Sequence, residues 1–336
     1  MTPIFELTAN GQDLTGKIKS RLIGLTITDE IGVASDSLEV ELDNRGSAIA
    51  VPRFGAELRL GLGYAESGIV AKGVWRVDEV ELSGPDRKFL IRARSADTNT
   101  ATALPKLMAK KDHTWLDGSG NPLTIGAIAA AIADENGLKL QIDPTVASTV
   151  PGNSHQTAES DLTFLGNAAA DVDAFVKPAG GKLLVLKFGA GVSSSGQALP
   201  TITIDITDAL RWRCLLTRRS SHAKVKAHWT DQNGITHEVI AESGDSSMED
   251  SETLLEENYH EGATAQNAAQ SKANQLARGS ESVSLSMVGD PRICSEMRII
   301  LKGFHPDIDR TWLAARVMHR LNESGFVSEL ECTKVI

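Results

Sequence analysis

The stretch 52-PRFGAELRLGLGY-64 returns near the other end of the chain as 291-PRICSEMRIILKG-303. At one constant offset, Pro52, Arg53, Glu57 and Arg59 fall on Pro291, Arg292, Glu296 and Arg298. Phe54, Leu58, Leu60 and Leu62 fall on Ile293, Met297, Ile299 and Leu301, and two residues of slip bring Trp75 onto Trp312 and Val80 onto Val317. Upstream, the alternation Leu38, Val40, Leu42 is echoed by Val283, Leu285, Met287. Alternation alone is what any half-buried strand shows. The shared register of a Pro-Arg turn, a Glu, an Arg two residues on and a Trp one strand later is not periodic, and it identifies one β-module used twice. Residues 36–94 and 281–335 are therefore expected to superpose.

Working outward, residues 4–9 alternate as a strand, and Asn10-Gly11 supplies the positive φ angles of a tight hairpin. Further short strands follow, parted by turns such as Ser83-Gly84-Pro85-Asp86, which predicts a small closed barrel or sandwich to about residue 100. The period then changes. Leu123, Ile125, Ile128 and Ile132 have helical spacing, with Asn136-Gly137 as the stop. A second helix is expected after Ser160-Asp161, running on towards Lys177-Pro178 before the strand KLLVLKF. Ser193-Ser194-Ser195-Gly196 reads as an exposed loop or linker. From Thr201 the β pattern resumes with TITIDI, LRWRCLL and AKVKAHWTD. Eight acidic residues between Glu242 and Glu261, with no Lys or Arg among them, fit a solvated, mobile loop, and residues 263–278 a helix capped by Gly279. The expected fold class is mainly β with an α+β insertion, as two similar antiparallel β-barrel modules. The expected division is 1–102, 103–200 and 201–336, the last holding both the acidic loop and the helix.

A chain of 336 residues suggests two or three domains, and no apolar stretch reaches the roughly 18 residues of a membrane span, so a soluble, cytoplasmically made protein is expected. The net charge of -10 and the low aromatic share, 4%, disfavour a protein that grips nucleic acid, because phosphate binding and base stacking need cations and rings. Cys214, Cys294 and Cys332 are odd in number and far apart, as reduced, buried thiols would be.

Catalytic patterns do not appear. Gly61-Leu62-Gly63 has neither the third glycine nor the Lys-Ser/Thr of a phosphate loop, and the eight histidines show no HExxH spacing and no Cys partners. Asp78 and Glu79 are adjacent on a strand and point to opposite faces, so they cannot serve one substrate as a carboxylate pair. Asp134 and Glu135 sit at a helix end, and Cys214 lies in an Arg-rich run without a neighbouring His. No catalytic residue, cofactor site or metal site is expected. Glu57 and Arg59, with their echo Glu296 and Arg298, should share one strand face, with the strand pressed between its own barrel and a neighbour and apolar on both sides. Arg59 and Arg298 are thus the oligomer-interface candidates.

The run RLIGLTITDEIGVASDSLEVELDN (21–44), then VPRFGAELRLGLGY, GVWRVDEVELSGPDRKFLIRARSAD, TIGAIAAAIADENGL and QTAESDLTFLGNAA, resembles in content and order the late control protein D family. These are baseplate hub proteins of contractile-tailed phages, related in fold to the hub part of type VI secretion spikes. The resemblance covers nearly the whole chain, and the acidic stretch 242–261 matches least. It implies a phage tail hub fold and a homotrimer in which each subunit gives two β-barrels to a ring, with the α+β part outside. The implied partners are a hexameric tail tube, a trimeric spike and other baseplate proteins, with DNA passing through the channel unbound and the lumen acidic or neutral. A tail-tip cell-wall-degrading enzyme and a glycan-binding adhesion module are the alternatives of different class.

Overall fold

The computed structural model describes residues 1–32, 36–95, 98–193, 197–217, 224–242 and 252–336. The chain opens with β1 (Pro3–Ala9) and β2 (Gln12–Asp13), joined through Asn10 and Gly11, both at positive φ, then α1 (Thr15–Ile18). The first module continues as β3 (Leu22–Glu30), β4 (Ser37–Asp43), β5 (Glu57–Tyr64), β6 (Gly68–Ser83) and β7 (Lys88–Ser95). Leu58, Leu60 and Leu62 are all buried in one core with Leu25, Leu38 and Phe89. The expectation of apolar contacts on both sides of β5 is therefore corrected: residues two apart share a face, and these three fill one core. Gly63 is fixed by close approach, since a Cβ there would clash with the carbonyl of Gly68 across the hairpin.

The second stretch contains α2 (Thr98–Leu107), β8 (Lys110–Thr114), α3 (Ile125–Glu135), β9 (Lys139–Ile142), α4 (Pro144–Ala147), β10 (His155–Ser160), α5 (Asp161–Ala170), β11 (Ala174–Ala179) and β12 (Lys182–Lys187). Thr124 and Ser160 cap α3 and α5 by accepting the amide N–H groups of Ala127 and Thr163. α5 stops at Ala170, and the segment expected to continue it is β11, which carries Pro178 at the edge of the sheet β11-β12-β9. Nothing in the sequence reading anticipated α2.

The chain closes with β13 (Ile202–Asp205), β14 (Ala209–Leu216), β15 (Lys224–Thr230), β16 (Thr236–Glu242), β17 (Glu252–Tyr259), α6 (Gly262–Gly279), β18 (Glu281–Val288), β19 (Arg298–Lys302), β20 (Thr311–Asn322) and β21 (Gly325–Lys334). The acidic stretch is not all loop. Residues 252–259 form β17, which pairs with β15 in parallel, while 243–251 lie outside the described residues, as do 194–196 of the expected linker. All three acids of β17, Glu252, Glu256 and Glu257, are exposed to water and Lys226 bonds Glu252 at 2.7 Å, so the acid count does not prevent pairing.

The repeat is visible in one sheet of order β14-β18-β21-β20-β3-β4-β7-β6-β5-β1-β2, with β19 beside β20 and β13 beside β19. The order β3-β4-β7-β6-β5-β1 is matched by β14-β18-β21-β20-β19-β13, and Trp75 and Trp312 lie on the equivalent strands β6 and β20. The pairing keeps one offset up to Arg59 and departs at Gly61, which faces Ala71 where its counterpart Ile300 faces Thr311. Leu58 faces Trp75, and its counterpart Met297 accepts the amide N–H of Ala314, so the two-residue slip moves Trp312 along its strand without moving the ladder. β13 departs from the antiparallel plan by pairing β19 in parallel, and the hydrogen-bonded ladder is open rather than closed into separate barrels. The edge of β3 that would close the first module is occupied by β20, from Arg316 opposite Glu30 to Asn322 opposite Gly24.

The chain divides into two compact units: residues 1–101, 200–213 and 283–332, and residues 102–199, 214–282 and 333–336. The expected block 201–336 is thus split, because 214–282 joins the insertion. Arg278 of α6 bonds both carboxylate oxygens of Asp173, Asn274 bonds the same carboxylate at 2.9 Å, and Ser271 bonds the carbonyl of Ala170. Ala265, Ala268, Ala269 and Ala273 seat α6 on Val225, Ala227 and Tyr259. The three cysteines are free, yet only Cys332 is fully buried, its thiol pushed up to about 12 by desolvation and the Glu331 charge.

Candidate functional site

Arg59 projects from β5 into solvent and bonds Glu57 at 2.9 Å, while Arg76 holds the other oxygen of Glu57 at 2.9 Å. A groove of about 430 Å³ lies beside it, floored by Gly61, Ile69 and Gly73. The echo breaks at Glu296. This residue is buried, sits before β19 with φ at 66° and donates its amide N–H to Ala314, so it is not the exposed strand partner of Arg298. Arg298 is exposed on β19 and forms no ion pair among the described residues. The two arginines occupy equivalent strands of separate modules.

Sequence reading missed the polar cluster that joins the modules. β6 breaks register with β5 between Arg59 and Gly61, and Lys72 at that irregularity turns toward the second Pro-Arg turn. Its ammonium donates to the carbonyls of Pro291, at 2.9 Å, and Ile293, at 3.4 Å, and lies 3.2 Å from Nε2 of His319. His319 is fully buried, with Nε2 2.9 Å from the Ile293 carbonyl and Nδ1 2.8 Å from the Ser328 hydroxyl. Ser328 Oγ in turn accepts the Asp290 amide N–H at 2.9 Å. One tautomer satisfies the two shorter contacts of the ring: Ser328 O–H donates to Nδ1, and Nε2–H donates to Ile293, so the Lys72 ammonium is held by the backbone carbonyls rather than by the ring. Tyr64 O–H donates to Gly289 at 2.9 Å, and Asp29 accepts both the amide and hydroxyl of Ser295.

Burial, with the Lys72 charge beside the ring, lowers the His319 pKa to about 4, and burial likewise lowers that of Lys72. A histidine held below its ordinary value stabilises the fold fully above about pH 6.5, and that contribution is lost as pH falls towards 4. Urea melts should lose roughly 3 kcal/mol of stability across that window. His319→Gln should flatten the profile; an unchanged slope in the variant would assign the loss elsewhere.

The remaining site expectations resolve on the backbone. Gly61 and Gly63 are mid-strand residues of β5, Asp78 pairs with Arg94 at 2.6 Å, and Glu79 and Glu81 flank Arg92. Among the described residues, no group of three or more His, Cys, Asp or Glu side chains converges as metal ligands would, and no helix is long and apolar enough to cross a membrane. Among the described residues, the strand edges left unpaired include two on the large sheet that are mostly exposed. β14, ALRWRCLL, ends the sheet and pairs only β18 among the described residues, leaving Leu210, Trp212, Leu215 and Leu216 exposed. The last third of β6, 78–83, pairs β7 on one side and is exposed along most of its length.

No family model matches the chain. It is 30% identical over 370 residues to the protein of Escherichia phage 186 named "Probable baseplate hub protein", covering 98% of this chain and 92% of that one. The protein of the same name from Escherichia phage P2 is 31% identical over 369 residues, covering 98% and 93%. Among solved structures, the tail protein from Neisseria meningitidis superposes with a TM-score of 0.69 at 12% identity, covering 99% and 97%. An E. coli component of the type VI secretion system superposes at 0.55 and 10% identity, over 98% of this chain and 77% of that one. The structural likenesses establish the phage-tail and type VI spike fold, and the near full-length sequence match places the chain in the family of baseplate hub proteins of P2-like phages.

Proposed function

We propose that this hub protein acts as a homotrimeric ring that joins a six-fold tail tube to a three-fold spike and lets DNA pass. The observation that carries the reading is the repeated strand order within one chain, because three copies then present six alike modules and one ring can meet both symmetries. The role needs geometry rather than turnover, and the chain is assembled with its baseplate partners in the host cytoplasm. Three chains bring a formal charge of three times -10, so a lumen that is acidic or neutral would not hold the phosphates of passing DNA. Native mass measurement of the full chain should give three times the chain mass. A chain that remains monomeric from micromolar to submillimolar concentration would sink the ring. Arg59→Glu and Arg298→Glu should each weaken assembly by roughly 1 kcal/mol or more while leaving the melting temperature of the monomer unchanged, as exposed rim charges do; a lower melting temperature instead would make them fold residues.

A further inference from the structure

The end of α5 carries two aspartates that the fold treats in opposite ways. Asp173 meets Arg278 and Asn274 of α6, whereas Asp171, two residues earlier, has a carboxyl that accepts no hydrogen bond among the described residues. Asp171 is the C-cap residue of α5, where the carbonyl end of the helix dipole opposes a negative charge. It lines a cavity of about 300 Å³ together with Gly152, Glu159, Asn167 and Glu257 of β17, and among the described residues no Lys, Arg or His shares that lining. β17 closes on the same point through Tyr259, which is buried. A Cβ at Gly152 would stand 2.9 Å from the Tyr259 ring and 3.5 Å from the Asp171 carboxylate, so loop, helix end and strand converge there. The joint links two cores. Tyr259 packs with Val225 and Ala227 beneath α6, while Phe164 and Ala168 of α5 belong to the core built around α3.

We propose that Asp171 is a proton-dependent latch between α5 and β17. With its proton it donates to Glu257 and holds β17 closed; without it the two carboxylates repel and β17 parts from the helix end. The groups around it set the response. Glu257 supplies the opposing charge, and Glu159 of β10 adds a further acid to the cavity. Tyr259 keeps its proton, because burial and then the Asp171 and Glu257 charges push its phenol up. The cations of the neighbouring elements are engaged elsewhere: Arg278 of α6 on Asp173, Lys226 of β15 on Glu252 at 2.7 Å, and His228 beside Glu238 at 3.6 Å. His260, next to Tyr259 in the chain, is exposed. Burial, then the Glu257 charge, holds the Asp171 carboxyl up at about 7. A carboxyl raised in the closed state stabilises that state fully below its ordinary value of 3.8, and the contribution is lost as pH rises through 7. The response is opposite to that of His319, so mild acid tightens this joint while it loosens the one between the β-modules.

Hydrogen exchange of the full chain from about pH 5 to 8.5, corrected for the intrinsic dependence of exchange on pH, tests the latch. Protection of residues 252–259 should fall roughly tenfold or more between about pH 5 and 7 and level off above about pH 8. In Asp171→Asn the amide can donate to Glu257 at every pH, so protection should stay within about threefold across the range. Glu257→Gln removes the opposing charge and should shrink the change. Carboxyl-carbon NMR of the parent chain gives a second reading that no variant's folding affects: Asp171 should titrate near 7. A midpoint below about 5 overturns the latch. So does a parent whose protection over 252–259 is flat with pH, or a folded Asp171→Asn chain that keeps the parent's slope.

Discussion

Replacing Trp312 with alanine is expected to cost about 3–5 kcal/mol, the range for emptying a large aromatic site in a packed core. The indole is fully buried, donates Nε1–H to the carbonyl of Ile308 at 2.9 Å, and lies 4.5 Å beneath the guanidinium of Arg310. Its loss therefore removes apolar area, one buried hydrogen bond and a cation–π contact together. The repeat provides an internal control. Trp75 is equally buried, but its Nε1 has no hydrogen-bond partner among the described residues, so Trp75→Phe forfeits ring size alone. Equilibrium unfolding should show Trp312→Phe costing about 1 kcal/mol more than Trp75→Phe. Equal costs would mean that the Ile308 bond contributes nothing.

The second large effect is expected at Arg278. Its guanidinium bonds both oxygens of Asp173 and stacks 4.7 Å over Phe188, and both side chains are largely shielded from water. Arg278→Ala leaves Asp173 with Asn274 as its remaining side-chain partner, at a cost of roughly 3 kcal/mol, between exposed and fully buried ion pairs. Because α6 is held by this clamp and by small alanines rather than by large apolar side chains, the loss should be local. Hydrogen exchange should quicken over 262–279 before it does over the first β-module. Arg278→Lys should recover less than half, since a lysine can neither fork onto the carboxylate nor stack on the ring. Unchanged protection of α6 in the alanine variant would show that the alanine face alone holds it.

The sequence by itself determined the β-module and its repetition. Alternation at Leu58, Leu60 and Leu62, the Pro-Arg turns and the Asn10-Gly11 hairpin are local features whose geometry is set within a few residues. The same holds for α3 and α5, where Thr124 and Ser160 cap the first turn from one position upstream. Arg59 and Arg298 were legible as exposed strand residues, but the burial of Glu296 was not, because it follows from a left-handed backbone bend that its neighbours impose. Tertiary structure alone decided the rest. Residues 214–282 join the insertion through Asp173 and Arg278, which are 105 positions apart, and Lys72 reaches His319 across 247. Composition predicts a loop for the acidic stretch, yet 252–259 gains a ladder on β15 that composition cannot express. Periodicity records which way a side chain points relative to its own strand, whereas the identity of the strand beside it is fixed by contacts between distant segments, and those leave no local trace.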